Sequence, residues 1–412
     1  MPDGEPAPQM SLWRDTTFVV ALVIAVVVAL GFGLVVPVLP LFAESFGVGV
    51  FAASLVISLF SFVRLVSNVY TGALTQRMGS RRAVGWGAII VAVSSLLTAG
   101  SPSYLALLLV RGAGGFGSAL FFNSLLTLVI RAVPAGYRGR AVGALQSSFL
   151  FGIMFGPIVG GVLSEPLGLR WPFAIYAVFC GTAGVVALLF LPREAELDDD
   201  PETAGPERPR GIAATWATAR RLCVDQAFLA ALVMMAASRW SAQGVRVSLV
   251  PLFAADIGIS RSWLGIALAL GSVTHLLAVW PAGKLADTVG RKAPATPAYL
   301  LFAVFALVIG WATSLPWFLA AMAAYGIGTG LTSVSPPAVA GDVVPAEDTG
   351  IGVGVLNTAG DLGSVLGPLV SGALAEAFGY TVGFGSAALL LVVAAGFAMR
   401  MRETLPAAAV AR

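Results

Sequence analysis

Apolar residues run for about twenty positions at a time, again and again along this chain, and that length is what a helix needs to cross the hydrocarbon of a bilayer. The runs fall at roughly 18–42, 51–73, 83–101, 104–130, 141–164, 172–191, 226–250, 262–283, 294–314, 317–340, 351–374 and 382–399. Backbone in lipid must satisfy its own hydrogen bonds, so twelve such runs predict twelve helices and an all-α membrane protein. Composition agrees: 58% of the 412 residues are hydrophobic and 11% are charged, against about 25% charged in a soluble domain. The basic residues are too sparse for a phosphate-tracking stripe, so nucleic acid is not an expected partner. Two cysteines, Cys180 and Cys223, cannot make a disulfide framework, and a single His275 excludes a His-rich metal site. No metal and no cofactor is expected. The first run is too long for a signal-peptide core and is kept as a span.

Charge sets the orientation. Of 24 Lys and Arg, eighteen fall in the loops and termini of one face, Arg170 and Arg261 on the other, and Arg64, Arg111, Arg239 and Arg246 within spans. The positive-inside rule places the basic face, with both termini, in the cytoplasm. The expected location is the plasma membrane. The one long polar stretch reads as a linker, so the expected organisation is a six-helix bundle over 1–191, a cytoplasmic linker over 192–225 and a second six-helix bundle over 226–412.

The two halves repeat at a constant offset of 211 residues: Gly33 with Gly244, Pro40-Leu41-Phe42-Ala43 with Pro251-Leu252-Phe253-Ala254, Gly72 with Gly283, Gly79 with Gly290, and Gly156-Pro157 with Gly367-Pro368. Parallel repeats of this kind predict a pseudo-twofold axis along the membrane normal, with a site between halves that opens alternately to each face.

Between spans 2 and 3 stands Gly72-Ala73-Leu74-Thr75-Gln76-Arg77-Met78-Gly79-Ser80-Arg81-Arg82, and between spans 8 and 9 Gly283-Lys284-Leu285-Ala286-Asp287-Thr288-Val289-Gly290-Arg291-Lys292. Span 5 carries Gly143, Gly152, Gly156-Pro157 and Gly160-Gly161; span 4 carries Arg111-Gly112-Ala113-Gly114-Gly115-Phe116-Gly117; span 1 carries Gly31-Phe32-Gly33 before Pro37 and Pro40. These resemble, over nearly the whole chain, the loop and antiporter motifs of the major facilitator superfamily, in its twelve-helix drug:proton antiporter type. The second loop is complete. The first has Gln76 where the family has Asp, which weakens any charged latch there. The resemblance implies two pseudo-symmetric six-helix bundles, gating at the two loops (Gly72, Gln76, Arg77, Gly79; Gly283, Asp287, Gly290, Arg291), helix packing through the span 5 glycines and Pro157, and a part for Arg111 in proton coupling. It also implies that spans 1, 4, 7 and 10 line the cavity and that spans 2 and 11 meet across the halves.

Ionisable groups inside a membrane are costly and point to function. Of 21 acids only Asp361 falls deep within a span, roughly 15 Å in from Ile351. Ser54, Ser61, Arg64, Asn68 and Thr71 form a polar stripe on span 2 at similar depth. Asp361 is expected to pair with Arg64 or to alternate between Arg64 and a proton; a permanent ion pair is the competing reading. His275 occupies the repeat position of Arg64 and titrates near neutrality, so it is a further proton-site candidate beside the simpler reading of a packing histidine. On span 7 Arg239, Gln243 and Arg246 share a helical face. With Trp240, Phe32, Phe122, Asn123 and Tyr325 they form the expected substrate surface, Arg246 having the alternative of snorkelling to the membrane surface.

The expected function is proton-driven export of small amphipathic molecules, drug or metabolite, by a monomer in the lipid bilayer whose partners are substrate and protons. Alternatives are a dedicated exporter of one anionic or sugar-like metabolite, and a transport-inactive sensor or scaffold. No catalytic constellation appears within the spans, so an enzyme is not expected.

Overall fold

The computed structural model describes residues 16–192 and 212–405; Arg14, Arg193, Arg208, Arg210, Arg412 and most of the polar linker lie outside them. Among the described residues, twelve long helices carry the chain back and forth. They are α1 (Thr16–Val35), α2 (Val50–Met78), α3 (Ser80–Ala99), α4 (Tyr104–Arg131), α5 (Arg138–Leu167), α6 (Trp171–Phe190), α7 (Gln226–Asp256), α8 (Arg261–Thr288), α9 (Lys292–Trp311), α10 (Leu315–Val343), α11 (Thr349–Phe378) and α12 (Tyr380–Arg400). A turn at Val36–Val38 separates α1 from a short continuation, Leu39–Glu44. Eleven of them are each apolar enough over a bilayer's thickness to span it, and α7 is so only together with the helix Trp216–Val224 that precedes it. Large apolar side chains left exposed on the outside of the bundle, such as Leu105, Leu109, Leu277 and Leu389, are those a bilayer covers.

The four helices α2, α5, α8 and α11 run past the apolar stretches that predicted them, by five residues at the basic end of α2 and α8. Their ends are set by backbone chemistry. Gly79 closes α2 and opens α3 at φ +83°, and its repeat Gly290 stands at φ +118° between α8 and α9; both lie in the left-handed region that glycine enters without a Cβ penalty. Within the expected linker, Ile212–Val224 forms a helix that meets α7 at a bend of 96°. Asp225 makes the corner by capping α7, its Oδ1 accepting from the Ala227 and Phe228 amides at 2.8 and 3.2 Å.

Packing follows the repeat. In the first half α1 lies against α5 and α6, α3 against α4 and α6, and α2 against α4; in the second α7 lies against α11 and α12, α9 against α10 and α12, and α8 against α10. Every pair recurs with six added to both numbers. Glycine lets these helices close up. A Cβ on Gly152, Gly156 or Gly160 would sit 2.2–2.5 Å from α1 atoms, and one on Gly363 would sit 2.2 Å from the Ala236 carbonyl of α7. Gly143, the first glycine of the span 5 motif, has nothing within 4 Å of its Cβ position. It takes no part in packing here, unlike the other glycines of that motif.

The halves meet along two symmetry-related seams, α2 with α11 and α5 with α8. Contact is confined to one side. Near the face opposite the basic loops, a Cβ on Gly161 would meet the Arg261 carbonyl at 2.3 Å, and one on Gly372 the Ser54 hydroxyl at 2.4 Å. Glu165 of α5 accepts from the Ser262 amide at the start of α8 at 3.2 Å. Its repeat partner Glu376 of α11 accepts from the Phe51 amide at the start of α2 at 2.8 Å. At the basic face the Cβ positions of Gly72, Gly139, Gly143, Gly283 and Gly354 have no neighbour within 4 Å. Among the described residues, the hydrogen bond between halves that lies nearest the basic face joins Asn68 to Asp361. The molecule is closed at one face and parted at the other.

Candidate functional site

Between the halves, where the seams end, lies a hollow with about 630 Å³ of open space, part of it continuous with solvent. One wall is apolar, with Phe32, Val36, Ile57 and Phe60; the other carries Ser61 and Arg64 of α2, Arg111 of α4, Arg239 and Gln243 of α7, and Asp361 and Ser364 of α11. The walls therefore come from α1, α2, α4, α7 and α11. Among the described residues α10 contributes none, which corrects the expectation that the tenth span lines the cavity.

Asp361 is half-buried, and its Oδ2 accepts from the Asn68 amide nitrogen at 3.1 Å. Asn68 accepts in turn from Asn123 at 3.1 Å, and Asn123 also donates to Thr71 at 2.8 Å. A polar chain thus runs from α4 through α2 to α11. Asn123 stands behind the site as its support and is not among the lining residues. The expected direct Asp361–Arg64 ion pair is not formed: Asn68, one turn further along α2, occupies the carboxylate, and Arg64 sits 5.9 Å over the Phe122 ring. Phe122 is packed on Phe149, with ring centroids 4.9 Å apart.

Arg111 is 1% exposed, with its guanidinium 4.8 Å from the Phe60 ring and 5.9 Å from Tyr176. Its Nε and Nη1 have no hydrogen-bond partner among the described residues. Stacking on aromatic faces offsets part of the cost of burying a cation without an anion. Arg239 rests its stem on α11, where a Cβ on Gly360 would lie 3.1 Å from Arg239 Cγ, and Arg64 and Asp361 are its charged neighbours.

The face of α7 departs from expectation for a physical reason. Ser241–Leu249 winds as a π-helix, whose wider turns carry more residues than an α-helix. The side chains that follow Arg239 into the hollow are Gln243 and Val247, and Arg246 is carried out of it. Arg246 neither meets the cavity nor snorkels: its Nη2 bonds the Leu268 carbonyl and the Ser272 hydroxyl of α8. Trp240 turns to α11, donating to Ser371 at 3.1 Å. Tyr325 is 1% exposed, with its hydroxyl bonded to Ser241. His275 is absent from the lining and holds Thr329 of α10 at 3.0 Å. These four expected site residues hold the second bundle together and do not face the hollow.

At the basic face the two loops differ as their sequences do. Arg291 pairs with Asp287 at 2.6 Å and with Asp342 at 3.0 Å, and Glu403 accepts from the Arg291 and Lys292 amides. The first loop offers Gln76 instead of an acid, and among the described residues Arg77 forms no ion pair.

A half-buried carboxylate and three guanidinium groups line one hollow between two bundles that touch at one end, an arrangement that can bind a small polar molecule. Comparison with known proteins agrees. An uncharacterized MFS-type transporter, MJ1560, of Methanocaldococcus jannaschii is 22% identical over 369 residues, covering 88% of this chain and 92% of that one. The multi-drug resistance efflux pump PmrA of Streptococcus pneumoniae is 24% identical over 379 residues, covering 90% and 92%. The human synaptic vesicular amine transporter is 26% identical over 323 residues, 77% of this chain but 60% of the relative. In structure, the chain resembles a bacterial homolog of the human lysosomal transporter Spinster in an inward-facing, occupied conformation, with a TM-score of 0.79 at 16% identity, covering 94% and 97% of the two chains. The sequence model of the Major Facilitator Superfamily matches residues 21–243 and again 231–411, and the chain belongs to that family of membrane transporters.

Proposed function

We propose that the protein is a secondary active transporter that exports small amphipathic molecules in exchange for protons, by alternating access, from a plasma membrane in which both termini are cytoplasmic. It acts as a monomer, with substrate, protons and lipid as its partners. One observation carries the reading. Asp361 is the one carboxylate among the described residues that line the hollow, and its hydrogen-bond partner Asn68 belongs to the other half. Rocking the halves must change what Asp361 touches, and a carboxylate whose surroundings alternate can take a proton at one face and release it at the other. On this orientation the conformation described is open to the cytoplasm, where an exported molecule enters. An efflux pump and amine transporters among the relatives support the direction.

The test is accumulation of a fluorescent lipophilic compound in everted vesicles with and without an imposed proton gradient. Wild type accumulates the probe only with the gradient, and Asp361→Asn reaches the membrane but does not respond to it. Undiminished gradient-driven accumulation by Asp361→Asn contradicts the proton role. A dedicated exporter of one anionic or sugar-like metabolite differs in breadth, since expression then protects cells against one compound and not several. The intact second loop and a hollow in contact with solvent both speak against a transport-inactive sensor.

A further inference from the structure

The charges that line the hollow do not balance. Arg64, Arg111 and Arg239 face Asp361 as the one acid among the described lining residues. Arg111 is almost fully buried, and two of its nitrogens have no partner among the described residues. A guanidinium held in a membrane interior without an anion is expensive, so the site lacks acceptor oxygens that a ligand can bring. The acid side is also incomplete. A carboxylate has about four acceptor positions, and the hydrogen bond that Asp361 accepts from Asn68 fills one of them. The two sides adjoin, because the Arg239 stem lies against Gly360, next in sequence to Asp361.

We infer that the transported molecule is a zwitterionic amphiphile, with an acidic group held by Arg64, Arg111 and Arg239, a protonated amine held by Asp361, and an apolar body against Phe32 and Phe60. This rests on the exchange reading above and names its substrate class. A plain cation meets three like charges. A plain anion binds best when Asp361 is protonated, which makes substrate and proton travel together instead of exchanging. A molecule with both groups satisfies the arginines while its amine competes with the proton for one carboxylate, and that competition is what exchange requires.

Naphthylalanine, naphthylethylamine and naphthylpropanoic acid carry one apolar body as zwitterion, cation and anion. Calorimetric binding to the purified full-length protein near neutral pH is expected to favour the zwitterion by at least about tenfold over either relative. Arg239→Gln and, separately, Arg64→Gln should abolish the preference over the cation without weakening cation binding, and Asp361→Asn should abolish the preference over the anion. Cation or anion binding as tight as zwitterion binding, or no zwitterion binding, overturns the inference, as does a preference unchanged in all three variants that still elute as folded protein. The same three compounds in vesicles separate this inference from the reading beneath it. Proton-driven movement of the cation without zwitterion binding refutes the substrate class and leaves exchange standing. Zwitterion binding with transport indifferent to the proton gradient refutes exchange and leaves the substrate class standing.

Discussion

Asn68 on α2 donates its amide to the Asp361 carboxylate on α11 at 3.1 Å, across the boundary between the two halves. Nearer the basic face the described halves share no further hydrogen bond, so this contact marks where the seam ends. Its removal should loosen the closed arrangement locally and leave each bundle intact. Asn68→Leu is expected to reduce transport by roughly tenfold with the thermal midpoint within a few degrees of wild type, since a single hydrogen bond to a charged group contributes about 1.5–3 kcal/mol. Transport at the wild-type rate would show that Asp361 works without this partner.

The glycines of α5 separate packing from gating. A Cβ on Gly160 would lie 2.2 Å from the Leu34 carbonyl, whereas one on Gly143 meets nothing within 4 Å. Gly160→Ala should therefore cost about 1–3 kcal/mol through overpacking. Gly143→Ala should change stability by less than about 0.5 kcal/mol. Thermal unfolding of the purified variants in detergent checks the order. Equal losses would mean that α5 packs along its whole length.

How much of this was legible in the sequence varies with the physics involved. Span number, the two bundles and the glycine face of α5 follow from run length, a constant repeat offset and helical phase, all of which are properties of the chain itself; that α1 is the helix packed on that face does not. A phase of 3.6 residues per turn puts Arg246 on the Arg239 face, whereas the segment winds as a π-helix and turns it away. Nothing in a single sequence announces those wider turns. Asn68 was visible in a polar stripe, but spacing shows which face a side chain shares and not which neighbour fills the gap, so Arg64 was the expected partner of Asp361. Trp240, Tyr325 and His275 carry polar tips that suit a cavity and suit a buried hydrogen bond equally well. Glu165 and Glu376 stand one repeat apart, but at the ends of spans that spacing does not show which backbone amide each carboxylate meets.

These two glutamates predict a symmetric latch. Each carboxylate takes the first-turn amide of a helix in the other half, an arrangement that helix dipoles favour by about 0.3–1 kcal/mol at exposed sites. Glu165→Ala and Glu376→Ala should each shift the conformational balance slightly toward opening at that face, and the double variant by about the sum, because the sites share no partner. Accessibility of a cysteine placed at Phe51 or Ser262 to a membrane-impermeant reagent measures it. No increase in the double variant would make the latch incidental.

Acid should strengthen closure at the same face. Burial, and after it the Asp256 carboxylate, hold the Glu44 carboxyl above its ordinary value of 4.5. Glu44 belongs to the first half and Asp256 to the second, so parting the halves there lets Glu44 return toward that value. The closed form thus binds the proton more tightly. Its advantage is present as pH falls through the raised value and is lost as pH rises above it. Glu44→Gln should hold that face closed to a similar degree at all pH values in this window. An impermeant-reagent titration against pH reads the effect, and a wild-type profile as flat as the variant's would contradict it.

Paired spin labels at the two ends of one seam test the central claim most directly. Arg140 with Lys284 reports the basic face of the α5–α8 seam, and Leu167 with Trp263 reports the opposite face; all four are exposed. Between conditions that leave Asp361 ionised and Asp361→Asn as its neutral counterpart, pulsed distance measurements should show the first pair shortening while the second lengthens, in one population shift. Distances that stay fixed at both ends, or that change in the same direction, in protein that still transports would contradict rocking about a shared hollow.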